Sequence, residues 1–274
     1  MADALDPRDA ETLLELAEQA ARQAAELLKG YYDERIVIEE KASARDLVSV
    51  ADFEAERLIV GIIHGDRPSD TIIGEEFGRR AGTSGLVWGI DPLDGTSNFL
   101  AGIPHWAICI GCEDEAGSLV GVILDPNRDE MFSAARGLGA TLNGKRIHAS
   151  SCESLASAMA AFGPAWGEGW HEHRMALSDR LLDAIAHGRQ MGSLAVDLAW
   201  TAAGRFDFFY YDSDLNPWDV AARVIAEEAG LITEILPEEP GAPGALVATP
   251  PALHDEVHRL LERTTITDGQ SGVS

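Results

Sequence analysis

The chain has 274 residues, enough for one or two domains with a substantial core. Its 46 acidic residues against 21 basic ones give a net charge of -25, which repels nucleic-acid phosphates and argues against a nucleic-acid partner. No run approaches the ~20 apolar residues of a membrane span, and the opening residues lack the basic-then-apolar order of a secretion signal, so the expectation is a cytoplasmic protein with no membrane partner.

Cys109, Cys112 and Cys152 are an odd number in a chain of this size and read as reduced thiols. A surface this acidic also repels a phosphorylated small molecule unless its site carries cations from elsewhere, which points towards bound metal.

In chain order, Asp6-Pro7 starts an amphipathic helix that runs to Gly30, with apolar residues three and four apart. VSVADFEAERLIVGIIHG predicts a second helix entered from an extended segment, with Asp52 in its first turn. TIIG (Thr71 to Gly74) predicts a short strand followed directly by Glu75, and LVWGI (Leu86 to Ile90) a buried strand ending at Asp91. HWAICIGCED, SLVGVILDP and DEMFSAARG then read as successive strands of an antiparallel sheet, and Asn143-Gly144 as a tight hairpin turn. From Ser154 shorter strands alternate with helices: SLASAMAAF, a helical HEHRMALSDRLLDAIAHG, a helical SLAVDLAWTAAG, an apolar FDFFYY and a helical WDVAARVIAEEAG. The expected division is an N-terminal part over residues 1–150, a C-terminal part over 151–265 that completes the site, and a frayed tail over 266–274.

Several local patterns fall short of a function. GATLNGKR resembles a phosphate-binding P-loop but has Arg146 where a hydroxyl should reach magnesium. Cys109 and Cys112 have redox spacing, yet along a strand they point to opposite faces, so they read as small buried residues. His254 and His258 share a helix face, but the intervening Asp-Glu-Val misplaces the glutamate of a zinc protease. Leu253, Val257, Leu260 and Leu261 give that segment an ordinary buried stripe, and His171-Glu-His173 reads as solvated polar sequence before a helix.

Glu75, Asp91, Asp94 and Asp219 stand apart because each lies at an element boundary. Hard divalent cations take oxygen ligands, so carboxylates converging from several strand ends suit them, and the Leu93 carbonyl can join. DPLDGTSNFLAG does not carry the alternate acids of a calcium-binding EF-hand. If Thr96 to Phe99 begins a helix, Gly95 and Thr96 offer free N–H groups to a phosphate beside the metals. On the residues alone, a plain Asp-Pro and Asp-Gly turn with Asp94 as a helix cap accounts for the same letters.

Taken together, GEE (Gly74 to Glu76), DPLDGTSNF (Asp91 to Phe99) and WDVAA (Trp218 to Ala222) resemble the inositol monophosphatase family of metal-dependent phosphatases. KASARDLVSVAD (Lys41 to Asp52) and GSLAVDLAWTAAGRFDFF (Gly192 to Phe209) extend the resemblance over nearly the whole chain. It implies a layered αβαβα fold of mixed α/β and α+β character, Mg²⁺ as cofactor with two or three ions, inhibition by lithium and a homodimer. By motif position it implies Glu75, Asp91, Asp94, Asp219 and the Leu93 carbonyl as metal ligands, and Gly95 and Thr96 as phosphate ligands. Asp52 is expected to pair with the Thr96 hydroxyl and, with Glu75, to act on the attacking water; Lys41 is expected nearby. Gly192, Ser193, Leu194 and Asp212 match the region that contacts the alcohol.

DSDLNPWD departs from the family pattern, in which glutamate commonly stands at Asp212, followed by a basic residue and glycine. The expected reaction is hydrolysis of inositol monophosphate or a similar polyol phosphate. Histidinol phosphate, fructose 1,6-bisphosphate and 3′-phosphoadenosine 5′-phosphate remain alternatives, and so does a metal-binding interaction protein without turnover.

Overall fold

The computed structural model describes residues 7–33, 44–163, 171–212, 216–238 and 243–261. Lys41 and the residues of the expected tail lie outside them.

Helix α1 (Pro7–Asp33) buries Leu13, Ala17, Ala20, Ala24 and Leu28, the three- and four-residue spacing read in the sequence. Helix α2 (Ala44–Asp66) begins before the expected start, so Asp52 sits in its interior and not in its first turn. Next come β1 (Thr71–Gly74), β2 (Gly78–Arg80), β3 (Val87–Asp94) and the short helix α3 (Thr96–Ala101). Strands β4 (Ala107–Asp114), β5 (Gly117–Asp125), β6 (Glu130–Ala135), β7 (Gly139–Leu142) and β8 (Lys145–Arg146) follow. Asn143 and Gly144 both take positive φ, 49° and 74°, as the two-residue hairpin between β7 and β8 demands.

The second half contains β9 (Met159–Gly163), α4 (His171–Ala184), β10 (His187–Arg189), α5 (Leu194–Ala202) and β11 (Phe208–Asp212). It closes with α6 (Val220–Glu228), β12 (Ile232–Leu236), β13 (Ala245–Thr249) and α7 (His254–Leu261). His187 and Gly188, expected to end a helix, instead join Arg189 in a strand that pairs in parallel with Met159 to Ala161, because strand hydrogen bonds at the sheet edge outweigh one further helical turn.

The strands form an eight-stranded sheet ordered β2-β1-β3-β4-β5-β6-β7-β8 and a five-stranded sheet ordered β10-β9-β11-β13-β12. Both are mixed: β1 runs parallel to β3 and β9 parallel to β11, and the remaining pairings of the larger sheet are antiparallel. One apolar core joins α1 and α2 to the outer face of the larger sheet. A second packs α5 and α6 between the two sheets, and a third seats α4 and α7 on the far face of the smaller one. The layers therefore run α-β-α-β-α, the fold expected from the sequence. Among the described residues no helix is long and apolar enough to cross a membrane.

Candidate active site

Two aspartates three positions apart on a regular strand face opposite sides of the sheet. Strand β3 escapes that rule through a register shift. Asp91 is opposite Cys109 and Asp94 opposite Ala107, so β3 carries one residue more than β4 over the same stretch. Pro92 lies in the bulge, where its missing N–H costs no ladder bond. The Leu93 N–H turns back to Asp91 Oδ1 at 2.9 Å. Asp91, Leu93 and Asp94 thereby line one cavity of about 210 Å³, together with Glu75, Gly95, Thr96, Leu194 and Asp219.

Gly95 makes the turn out of β3 with φ 94° and caps α3. A Cβ there would stand 3.0 Å from the His105 carbonyl, so both the conformation and the space call for glycine. The Gly95 carbonyl accepts the Asn98 and Phe99 N–H groups, and Gly95 and Thr96, at the start of α3, line the cavity.

Asp219 arrives from the second half of the chain. It ends a 3₁₀ turn over Pro217–Asp219, and one of its oxygens accepts the Asn216 N–H at 2.8 Å. Gly89 of β3 lets that turn approach: a Cβ there would be 2.1 Å from the Pro217 carbonyl oxygen. Leu194 and Ala195, at the start of α5, also line the cavity, with Ser193 capping the helix just before them. The Ser193 hydroxyl and the Ala195 N–H both donate to Asp94 Oδ2, the latter at 3.0 Å.

The acidic groups strain against one another. The Glu75 and Asp91 carboxyls lie within hydrogen-bonding reach of each other, a contact that two ionised groups can keep only by sharing a proton. Burial, followed by the charges of Asp94 and Glu75, raises Asp91 well above the usual carboxylate range. Burial likewise pushes Asp94 up to about 6, against the hydrogen bonds from Ser193 and Ala195, and Asp219 up to about 7. Asp52, buried on α2 and facing Glu76, Glu75 and Glu56, is pushed up to about 8, again chiefly by burial. Among the described residues no lysine or arginine lines the cavity to balance this charge.

Other expected residues are placed less centrally. The Thr96 hydroxyl donates to the Leu93 carbonyl at 3.0 Å and not to Asp52. Asp212, at the end of β11, does not line the cavity; its carboxylate accepts from the Tyr210 hydroxyl and lies 3.2 Å from His173 Nε2. Gly192 and Ser193 precede α5, with Gly192 in the left-handed region at φ 84°.

A model of the inositol monophosphatase family matches residues 9–265. The chain belongs to that family. It is 38% identical over 222 residues to the protein named Nus factor SuhB in Escherichia coli K12, covering 80% of this chain and 83% of that protein. It is 42% identical over 189 residues to an inositol-1-monophosphatase of Rhizobium meliloti, covering 68% and 70% respectively. A crystal structure of the extragenic suppressor protein suhB from Bartonella henselae superposes with a TM-score of 0.82 at 31% identity, over 92% of this chain and 99% of that one.

Within this inositol monophosphatase family member, several site residues escaped the sequence reading. Cys109, read as a small buried residue, is buried and also floors the cavity, and burial followed by the anionic neighbours raises its thiol well above the usual range. Asn216 and Trp218 line the opposite wall; their place beside Asp219 was the only signal available. Behind Asp94, His105 Nε2 and Asp197 Oδ1 form a buried pair at 3.0 Å. Glu56 accepts the N–H groups of Glu76 and Phe77 at 2.8 and 2.9 Å and so fixes the loop that carries Glu75. Contacts between positions this far apart leave no local pattern.

Proposed function

We propose that this protein is a Mg²⁺-dependent phosphomonoesterase acting on inositol monophosphate or a similar polyol phosphate. The observation that carries the reading is the convergence of Glu75, Asp91, Asp94 and Asp219 on one cavity without a balancing basic side chain among the described residues. Carboxylate oxygens, held so that they repel one another, suit a hard divalent cation such as Mg²⁺. In this reading the four carboxylates and the Leu93 carbonyl hold two or three ions. When bound there, magnesium supplies the Lewis acidity that lowers the pKa of the attacking water and offsets charge on the phosphoryl oxygens.

The remaining work falls to the chain. Gly95 and Thr96 bind the phosphate through backbone N–H groups at the turn into α3. Ser193 and Ala195 orient Asp94, so the start of α5 couples the alcohol-binding wall to the acidic cluster. Glu75, Thr96 and Asp52 are assigned to orienting and deprotonating the water, which requires the Thr96 hydroxyl to exchange the Leu93 carbonyl for Asp52. Gly192, Ser193, Leu194 and Asp212 are assigned to the alcohol, with Lys41 supporting the site. A homodimer and lithium sensitivity belong to the same reading.

Release of inorganic phosphate from inositol 1-phosphate, with and without Mg²⁺, tests it. The relatives named Nus factor make a partner-binding role without turnover the alternative of a different class, and that role predicts no Mg²⁺-dependent release. Histidinol phosphate, fructose 1,6-bisphosphate and 3′-phosphoadenosine 5′-phosphate in the same assay rank the substrates.

A further inference from the structure

The two histidines that match no zinc-protease motif acquire a third partner in the fold. Helix α7 places His254 and His258 one turn apart with ring centroids 5.1 Å from each other. Glu234 reaches them from β12, the edge strand of the smaller sheet, and its Oε2 meets His258 Nε2. One ligand atom from each of the three residues lies within 4.8 Å of the others. Ligands of a tetrahedral ion with bonds of about 2.0–2.1 Å stand roughly 3.3 Å apart, so small side-chain rotations close the cluster around one ion.

A surface ion pair between His258 and Glu234 accounts for two of these residues but not for the aim of the third. His254 Nδ1 shares a hydrogen bond of 3.0 Å with Thr249 Oγ1, and Thr249, at the end of β13, is 1% exposed. A ring held through Nδ1 by a buried hydroxyl presents Nε2 outward, the arrangement that outer partners give to metal-ligating histidines. The three side chains border an open cavity of about 580 Å³, completed by Asp255 and Arg259. Arg259 donates its Nε to the Asp255 backbone carbonyl at 3.2 Å.

We propose that Glu234, His254 and His258 bind a borderline first-row transition ion, Zn²⁺ being the best fit. Two imidazoles and a carboxylate favour such an ion over Mg²⁺, which prefers an all-oxygen shell. Three protein ligands leave a fourth position open to water. The ion bridges α7 to β12 and clamps the outer helical layer to the sheet edge, remote from the acidic cavity and independent of its chemistry.

Equilibrium dialysis of the full chain against Zn²⁺, with Mg²⁺ in large excess to occupy the carboxylate cluster, tests the proposal. The unaltered protein is expected to retain one zinc more than His254→Ala or His258→Ala, and zinc is expected to raise its melting temperature but not theirs. Glu234→Gln keeps the shape and removes the carboxylate, and loses the zinc as well. Thr249→Val, which frees the His254 ring, weakens binding by about tenfold. Circular dichroism without zinc establishes that each variant is folded. Equal zinc retention by the unaltered protein and by folded His254→Ala, or by folded Glu234→Gln, overturns the site.

Discussion

The backbone N–H of Ala195 donates to Asp94 Oδ2 at 3.0 Å, so the start of α5 fixes a carboxylate at the end of β3. The Ser193 hydroxyl shares the same oxygen. Asp94 thus has one oxygen committed to the scaffold and one turned to the cavity. Asp94→Asn is expected to lower phosphate release by more than about a hundredfold at saturating Mg²⁺, because a neutral amide is a poor ligand for a hard cation. Ser193→Ala removes the bond that orients Asp94 and the cap that the same hydroxyl gives the Val196 N–H, but leaves the carboxylate in place, and a loss of about tenfold is expected. Steady-state phosphate release checks both, and unaltered turnover in the Asp94→Asn variant removes Asp94 from the reaction.

Stability should depend on pH in a direction that magnesium opposes. Asp94, Asp219 and Asp52 have ordinary values of 3.8 and are pushed up to about 6, about 7 and about 8 in the folded chain. The folded state therefore holds protons that the unfolded state has lost. Its advantage from these groups is full below about pH 4 and drains away as the pH rises towards about 8. In chelator, the melting temperature is expected to fall between about pH 5 and pH 8, and the increase produced by Mg²⁺ to be larger at the upper end. Scanning calorimetry at both values decides; an equal magnesium effect at both contradicts the assigned cluster.

Gly89→Ala tests how Asp219 is delivered. The added Cβ would meet the Pro217 carbonyl at 2.1 Å, a backbone contact that no rotamer relieves. Overpacking of this kind costs about 1–3 kcal/mol, and here the turn carrying Asp219 must retreat. Lower denaturation midpoints and weaker Mg²⁺ activation are expected together. A variant that loses stability but keeps its Mg²⁺ dependence would show that Asp219 tolerates displacement.

Asp52→Asn separates function from fold. Burial disfavours the ionised form of Asp52, so an amide of the same shape should not lower the melting temperature at about pH 8 without magnesium. Phosphate release should nonetheless fall. Loss of stability without loss of turnover would instead make Asp52 a packing residue.

Much of the site was legible because its chemistry is written in short stretches. Asp91 and Asp94 bracket a proline, Glu75 follows a strand, and Asp219 follows Pro-Trp, each with an element boundary visible beside it. Individual helices and strands were legible through periodicity, as in the buried stripe of α1, whereas their stacking in layers was implied by the family resemblance. What stayed hidden depends on partners distant in sequence. The bulge that turns Asp91 and Asp94 to one cavity exists only against β4, and the bonds from the Glu76 N–H to Glu56 and from the Ser193 hydroxyl to Asp94 join positions 20 and 99 residues apart. The Thr96 hydroxyl shows the converse: a carbonyl three residues away, that of Leu93, took the bond expected to go to the distant Asp52.

The cavity draws Glu75, Asp91 and Asp94 from the first sheet and Asp219 from the turn that precedes α6. A nascent chain released only as far as β8 would possess most of the acidic residues and none of the closure. Under the proposed function such a polypeptide lacks the fourth carboxylate, and the acidic cavity is complete only when the Pro217–Asp219 turn docks over Gly89.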